Sequence, residues 1–123
     1  MSAAHALSAF AALGQPTRLE IFQLLMRCEP KGLPAGIIAE KIRCAQNTLS
    51  SHLGILARAG LVRGIRDGRS IVYRANVEAM RALMAFMVMD CCNGHPELCD
   101  LTDALRPQRC DCGSAGVKRK RRR

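Results

Sequence analysis

Aromatic side chains are scarce in this chain of 123 residues, which has no tryptophan, one tyrosine and three phenylalanines. Proteins that bind RNA or single-stranded DNA stack bases on aromatic rings, so the scarcity argues against that class. Hydrophobic residues nevertheless make up 49% of the chain, which excludes a disordered protein. The core must be built from aliphatic side chains, and this favours packed helices. A chain of this length buries one core but hardly two.

Long apolar runs are also missing. No stretch approaches the ~18 consecutive apolar residues of a membrane helix, and the N-terminus lacks the charged region and long apolar stretch of a signal peptide. We therefore expect a cytoplasmic protein with no membrane partner. In that reducing compartment the seven cysteines are expected to be thiols that act as ligands or sensors, rather than structural disulfides.

The formal charge of +9 is unevenly distributed along the chain. Residues 118–123 are all basic, and removing these six from the 19 basic residues leaves 13 against 10 acidic ones. Because the remainder is only mildly basic, recognition of an acidic partner must depend on where its charges lie. The terminal run is interpreted either as a solubilising tail or as a non-specific clamp on phosphates.

Apolar residues at helical spacing predict five helices. The predicted segments are Ala3–Leu13, a helix that begins at Pro16 and is broken by Pro30 and Gly32, Pro34–Ile42, Gln46–Ala59 with Gly60 as its cap, and Val77–Cys91 capped by Asn76. The side chains expected in the core from the second and third helices are Leu19, Phe22, Leu25, Met26, Ile37, Ile38 and Ile42.

The fifth predicted helix is apolar on more than one face. A single small domain has too little core to bury both faces, so we expect a partner subunit to cover one of them. The apolar residues that nearly encircle the helix are Met80, Leu83, Met84, Phe86, Met87 and Val88.

After Gly60 the period of the apolar residues changes to two, which predicts strands at 61–66 and 69–74. Asp67-Gly68 between them is a strong signal for a hairpin turn. Two helices joined by a tight turn and followed by a basic hairpin form a winged helix-turn-helix. The predicted fold is therefore mainly α with a two-stranded β-wing.

The fourth predicted helix has two different sides. Leu49, Leu53, Leu56 and Ala57 fall on one side, whereas the opposite side carries Asn47, Ser51, Gly54 and Arg58, flanked by Thr48 and Ser50. An ordinary solvated face usually carries Lys and Glu, which this helix lacks. Small side chains that form hydrogen bonds favour insertion into a DNA major groove, where they meet base edges.

Four arginines flank the predicted turn of the hairpin. Arginines at a hairpin tip contact phosphates or enter a minor groove, although a charged edge that discourages aggregation is a common alternative. Together with the preceding helix, they favour contact with double-stranded DNA. The four are Arg63, Arg66, Arg69 and Arg74.

The chain resembles the arsenical-resistance repressor family (ArsR/SmtB type) of metal-sensing regulators. The resemblance lies in residues 16–21 (PTRLEI), 47–53 (NTLSSHL), 56–62 (LARAGLV) and 66–73. It implies a symmetric homodimer built on the first and fifth helices, which binds an imperfectly palindromic operator and releases it when an inducer binds. The DNA contacts expected from the helix, the wing and the resemblance are Gln46, Asn47, Thr48, Ser50, Ser51, His52, Arg66 and Arg69.

The inducer site is predicted at cysteines that follow the fifth helix. Cys91, Cys92 and Cys99 are similar to the site of arsenic-sensing family members in which a vicinal pair joins a third downstream cysteine. Thiolates select thiophilic ions, and three of them suit the trigonal pyramid of arsenite or antimonite. Cys44 lacks a partner nearby, and Cys28 is interpreted as a small core residue.

Two alternatives retain the same DNA-binding fold. One is a redox sensor whose tail cysteines form disulfides. The other is a zinc or cadmium sensor, with a fourth ligand from His95, Cys110 or Cys112. A thiol enzyme is disfavoured because the sequence has no Cys-x-x-Cys motif and no phosphate-binding loop.

Three segments are predicted. Residues 1–92 form the DNA-binding and dimerisation domain, 93–117 a cysteine-bearing segment, and 118–123 a basic tail.

Overall fold

The structure is a computed structural model that describes residues 1–91, with the side chains of residues 1–89. Within that range it confirms the winged helix-turn-helix, and none of its helices is long and apolar enough to cross a membrane. The elements in chain order are α1 (Ala3–Leu13), α2 (Pro16–Arg27), β1 (Leu33–Pro34), α3 (Ala35–Ile42), α4 (Gln46–Arg58), β2 (Val62–Asp67), β3 (Ser70–Ala75), α5 (Val77–Phe86) and a π-helical turn (Met87–Cys91).

Capping residues fix the helix boundaries. The side chains of Gln15 and Asn76 accept hydrogen bonds from backbone N–H groups in the first turns of α2 and α5, which satisfies donors that have no partner inside the helix. At the end of α4, Gly60 adopts a φ of 81°. Its N–H donates to Ala57 O (3.0 Å), and the N–H of Leu61 donates to Leu56 O (3.0 Å). This is the Schellman motif, and it turns the chain from α4 into the wing.

The core lies between α2, α3, α4 and the base of the sheet. Two predicted core residues are wrong, since Leu19 is 42% exposed and Ile37 is 37% exposed. The buried side of α2 contains Ile21 and Leu25, and Leu19 falls outside that arc of the helix. The largest fully buried side chains are Ile21, Leu25, Ile38, Leu49, Leu53, Leu56, Leu61 and Leu83.

The wing is part of a three-stranded antiparallel sheet in the order β1-β3-β2. The two-residue strand β1 was not predicted; it pairs Leu33 with Tyr73 at the base of the wing. The hairpin turn also lies one residue further along than predicted, because Asp67 pairs with Ser70. The central turn residues are therefore Gly68, with a φ of 66°, and Arg69, an arrangement typical of a type II′ turn.

Candidate nucleic-acid interface

The two sides of α4 differ in the structure as their sequence predicts. Leu49, Leu53 and Leu56 are 1%, 2% and 0% exposed and anchor the helix in the core. Ala57, which was predicted on that side, is exposed, because the buried arc is narrow and centred on the three leucines. The exposed residues of α4 that were predicted to contact DNA are Gln46, Asn47, Thr48, Ser50 and Ser51.

The turn that joins α3 to α4 sets the position of α4. Arg43 ends α3 in the left-handed region, with a φ of 63°, and the N–H of Cys44 donates to Ala39 O at 3.0 Å. This reversal brings the start of α4 beside the end of α3, as a helix-turn-helix requires.

His52 lies at the edge of the exposed face and is half-buried. Arg18 of α2 approaches it, with 3.4 Å between Arg18 Nη1 and His52 Nδ1. Since arginine only donates, Nδ1 must be the acceptor, and the neutral ring then carries its proton on Nε2. The same guanidinium donates from Nε to the carbonyl oxygen of Ala12 at 2.6 Å. Arg18 therefore ties the end of α1 to α4, a role that no local pattern in the sequence indicates.

The wing presents three exposed arginines. Arg66 and Arg69 lie at its tip, whereas Arg63 lies nearer the base, opposite Arg74 and close enough to Glu29 to lower the pKa of that carboxyl. The side chains of all three form no hydrogen bond or ion pair with other residues that the structure describes. The tip therefore offers cationic donors on the same molecule as the polar face of α4. Their number and exposure fit contact with an anionic partner.

Arg74 does not belong to this group of arginines. It binds the Glu29 carboxylate at two points, from Nη2 to Oε1 at 2.8 Å and from Nε to Oε2 at 3.3 Å. This bidentate pair fastens β3 to the loop after α2, and it gives the Arg74 guanidinium a carboxylate partner within the chain. Hydrogen bonding from Arg74 holds the pKa of Glu29 below the ordinary carboxyl value of 4.5.

This pair predicts a dependence of stability on pH. Because the pKa of Glu29 is lower in the folded state, the stabilisation is present above the ordinary carboxyl pKa and is lost as the pH falls through the folded-state value. Glu29→Gln is expected to lower the free energy of unfolding at pH 7, and the deficit should shrink as the pH falls below the ordinary carboxyl pKa. Urea denaturation across this range measures both effects.

The matched control is Glu78→Gln. Glu78 pairs with Arg81 on the surface of α5, with side chains 78% and 71% exposed, and exposed pairs contribute little. If both variants lost the same stability at every pH, the account of Glu29 would be wrong.

Comparison with known proteins places this architecture in a family. Residues 13–65 match the model of a helix-turn-helix domain. The chain is 32% identical over 79 residues to the transcriptional repressor SdpR of Bacillus subtilis, covering 64% of this chain and 84% of SdpR. The solved structure of an ArsR-like transcriptional regulator from Rhodococcus sp. RHA1 is 25% identical, covers 85% of this chain and 96% of its own, and superposes with a TM-score of 0.65.

The chain belongs to the ArsR/SmtB family of winged helix-turn-helix transcriptional regulators. A further solved structure, of a possible transcriptional regulator for arsenical resistance, is 26% identical with a TM-score of 0.59 and covers 81% of this chain and 98% of its own. These relatives are DNA-binding regulators, and the regulator described here is accordingly a DNA-binding protein rather than an enzyme.

The cysteines of the regulator fall into two groups. Cys28 and Cys44 are half-buried thiols beside the core, and among the described residues no three His, Cys, Asp or Glu side chains lie close enough to hold a metal ion. The predicted inducer site lies elsewhere, because the side chain of Cys91 and all of residues 92–123 are outside the described part of the chain. These include Cys92, Cys99, Cys110 and Cys112.

Proposed function

We propose that the regulator is a cytoplasmic, homodimeric repressor of a metalloid-resistance operon. It binds a palindromic operator through α4 and the wing, and it releases this DNA when arsenite binds to Cys91, Cys92 and Cys99. The observation that carries the DNA-binding part is the exposed polar face of α4, whose amides and hydroxyls lie on the side opposite three buried leucines.

The side chains of α4 and of the wing suit two different kinds of contact with DNA. Amides and hydroxyls such as those of Asn47 and Ser51 form hydrogen bonds with base edges and discriminate between sequences. The cations of Arg66 and Arg69 neutralise phosphates and bind any sequence. His52, held by Arg18 with Nε2 as its remaining donor, sits where a flank of α4 meets the DNA backbone.

An apolar surface of α1 and α5 supports the dimer. The two helices lie against each other, and Leu83 anchors α5 in the core at 2% exposure. Other large apolar side chains of α1, α5 and the π-helical turn remain exposed, and a second copy of the chain would cover them. These are Leu7 (68%), Phe10 (41%), Met84 (42%), Met87 (36%) and Met89 (61%).

The proposal that arsenite is the inducer rests on the cysteine thiols. Three cysteines at and after the end of α5 provide three thiolates, which match the bonding positions of trivalent arsenic or antimony. The similarity to a possible regulator for arsenical resistance supports the same inducer class. In this proposal 1–92 is the DNA-binding and dimerisation domain, 93–117 carries Cys99 of the inducer site, and 118–123 is a basic tail.

Substitutions in α4 and the wing are expected to affect different aspects of DNA binding. The ligand is a duplex selected by the wild-type protein from random sequence, here called the selected duplex. Ser51→Ala or Asn47→Ala should weaken its binding by about tenfold and leave binding to unrelated DNA unchanged, since base contacts contribute ~1–3 kcal/mol of discrimination. Arg69→Ala should weaken binding to both duplexes and make the salt dependence shallower.

Gln23→Ala, which removes an exposed amide from α2, is the control and should bind like the wild type. Fluorescence anisotropy at several salt concentrations measures all four variants. Equal losses on selected and unrelated DNA for Ser51→Ala and Asn47→Ala would contradict the assignment of α4 to base readout.

The dimer is tested by placing a charge on its apolar surface. Met84→Asp should convert the dimer to monomer or unfold it, because a buried carboxylate without a partner is strongly unfavourable. Sedimentation velocity at micromolar concentration measures the state of association, and circular dichroism measures folding. Gln23→Asp adds the same charge on α2 and should remain dimeric. A wild-type protein that sediments as a fully folded monomer would refute the proposed dimer.

A further inference from the structure

Gly54 occupies the middle of α4, where glycine destabilises a helix relative to alanine. A Cβ at this position would meet a single neighbour, Arg58 Nη1, at 3.5 Å, which is an ordinary van der Waals contact. The φ of Gly54 is not in the left-handed region. Nothing in the described part of the chain therefore requires a glycine at residue 54.

The position of Gly54 on the helix indicates a reason for the glycine outside the described chain. Gly54 lies on the same side of α4 as Asn47, Ser51 and Arg58, opposite the three buried leucines. A glycine permits close approach of another molecule to the backbone. Within the described chain only the flexible end of the Arg58 side chain approaches this point, so the close approach that a glycine permits is available to a ligand of this face.

Arg58 lies over the same spot. Its side chain is exposed and runs back towards the N-terminus of α4, as long side chains on helices do, so that the guanidinium lies above Gly54. It forms no hydrogen bond or ion pair with the residues that the structure describes. The five N–H donors of an arginine are thus available near the centre of the exposed face.

We propose that Gly54 and Arg58 together read a guanine in the major groove. Gly54 lets the backbone of α4 approach the base pairs closely, and Arg58 donates two hydrogen bonds to O6 and N7 of the guanine, the commonest specific contact of arginine with DNA. Arg58 is the last residue of α4, but its guanidinium lies over Gly54 in the middle of the helix, and this position favours a base over the phosphates, which flank the groove. This inference rests on the proposed function, because it requires α4 to be the helix in the groove.

The first test is Gly54→Ala, which separates a role in binding from a role in folding. Alanine fits the site and is the better helix former, so Tm should rise by about 3–6 °C. The added methyl group should hold the helix away from the bases, and affinity for the selected duplex should fall by about tenfold. A variant that is more stable and still binds the selected duplex like the wild type would overturn the role of Gly54.

The second test combines Arg58→Ala with modified DNA. The variant should lose about tenfold in affinity for the selected duplex and lose its preference at one G·C pair in each half-site. Replacing that guanine by 7-deazaguanine removes the N7 acceptor, so it should weaken binding of the wild type and leave binding of Arg58→Ala unchanged. Arg27→Ala, which removes an exposed arginine from the last turn of α2, is the control for charge and should keep the preference.

Two results would overturn the role of Arg58. One is an equal loss on selected and random duplexes with a shallower salt dependence, which is the behaviour of a phosphate contact. The other is wild-type binding by Arg58→Ala. If the wild-type protein selected no duplex from random sequence, the proposed function would fail rather than this assignment alone.

Discussion

Replacing Gly32 by alanine is expected to lower the free energy of unfolding by about 2–5 kcal/mol. Gly32 has a φ of 75°, in the left-handed region where a residue with a Cβ is strained. The Cβ would also lie 2.5 Å from Tyr73 O and 2.6 Å from Arg74 Cγ. Because Tyr73 O is backbone at the base of the wing, relief would require β1 and β3 to separate.

Gly60→Ala is the matched control for this prediction. Gly60 has a φ of 81°, but a Cβ there would have no neighbour within 4 Å. Gly60→Ala should therefore lower the free energy of unfolding only by the strain of a left-handed alanine, about 1–2 kcal/mol. Urea denaturation of both variants gives the difference. Equal losses would show that close packing of Gly32 against β3 does not contribute.

Serine substitutions at Cys91, Cys92 or Cys99 are expected to abolish the response to arsenite and leave DNA affinity intact. In the wild type, arsenite should weaken binding to the selected duplex by about 5- to 150-fold, which corresponds to a coupling of ~1–3 kcal/mol. The proposed ligands follow α5, whereas the proposed DNA contacts lie on α4 and the wing, so ligand binding and DNA binding would use different parts of the chain. Drawing three thiols together at the end of α5 would change the packing of the two subunits. The spacing of the two α4 helices, about one turn of DNA, would then be lost.

Two other cysteines serve as comparisons. Cys28→Ala should respond to arsenite like the wild type, because Cys28 lies beside the core at the end of α2. Cys44 precedes α4, and its Sγ lies 3.4 Å from Ala45 O. If Cys44→Ser abolished the response while the other three serine variants retained it, the sensor would lie beside α4 and the assignment would be wrong. Anisotropy of the selected duplex, titrated with arsenite in the presence of a reducing agent, measures each variant.

The features predicted correctly from the sequence are local ones. Three such features depend on neighbours within one or two helical turns. They are the cap at Asn76, the left-handed Gly60, and the alternation of Leu49 and Leu53 with the polar residues of α4. Their physical causes lie within a short window of sequence. The five helices and the exposed face of α4 could therefore be predicted in advance.

The features that were missed depend on residues far apart in the chain. Glu29 and Arg74 are separated by 45 positions, and Arg18 and His52 by 34, so no periodicity connects them. Strand β1 has only two residues and exists because Gly32 permits close approach to β3. The exposure of Leu19 likewise depends on how α2 sits against its neighbours, which hydrophobicity alone does not determine.

The central claim is that trivalent arsenic releases the regulator from DNA under reducing conditions. The most direct test is one anisotropy experiment on the wild-type dimer bound to the selected duplex, with separate titrations of arsenite, antimonite, zinc and cadmium and with thiols kept reduced. The account predicts that arsenite and antimonite release the DNA, whereas zinc and cadmium at the same concentrations do not. Release by zinc or cadmium without release by arsenite, or release only after oxidation of the thiols, would contradict it.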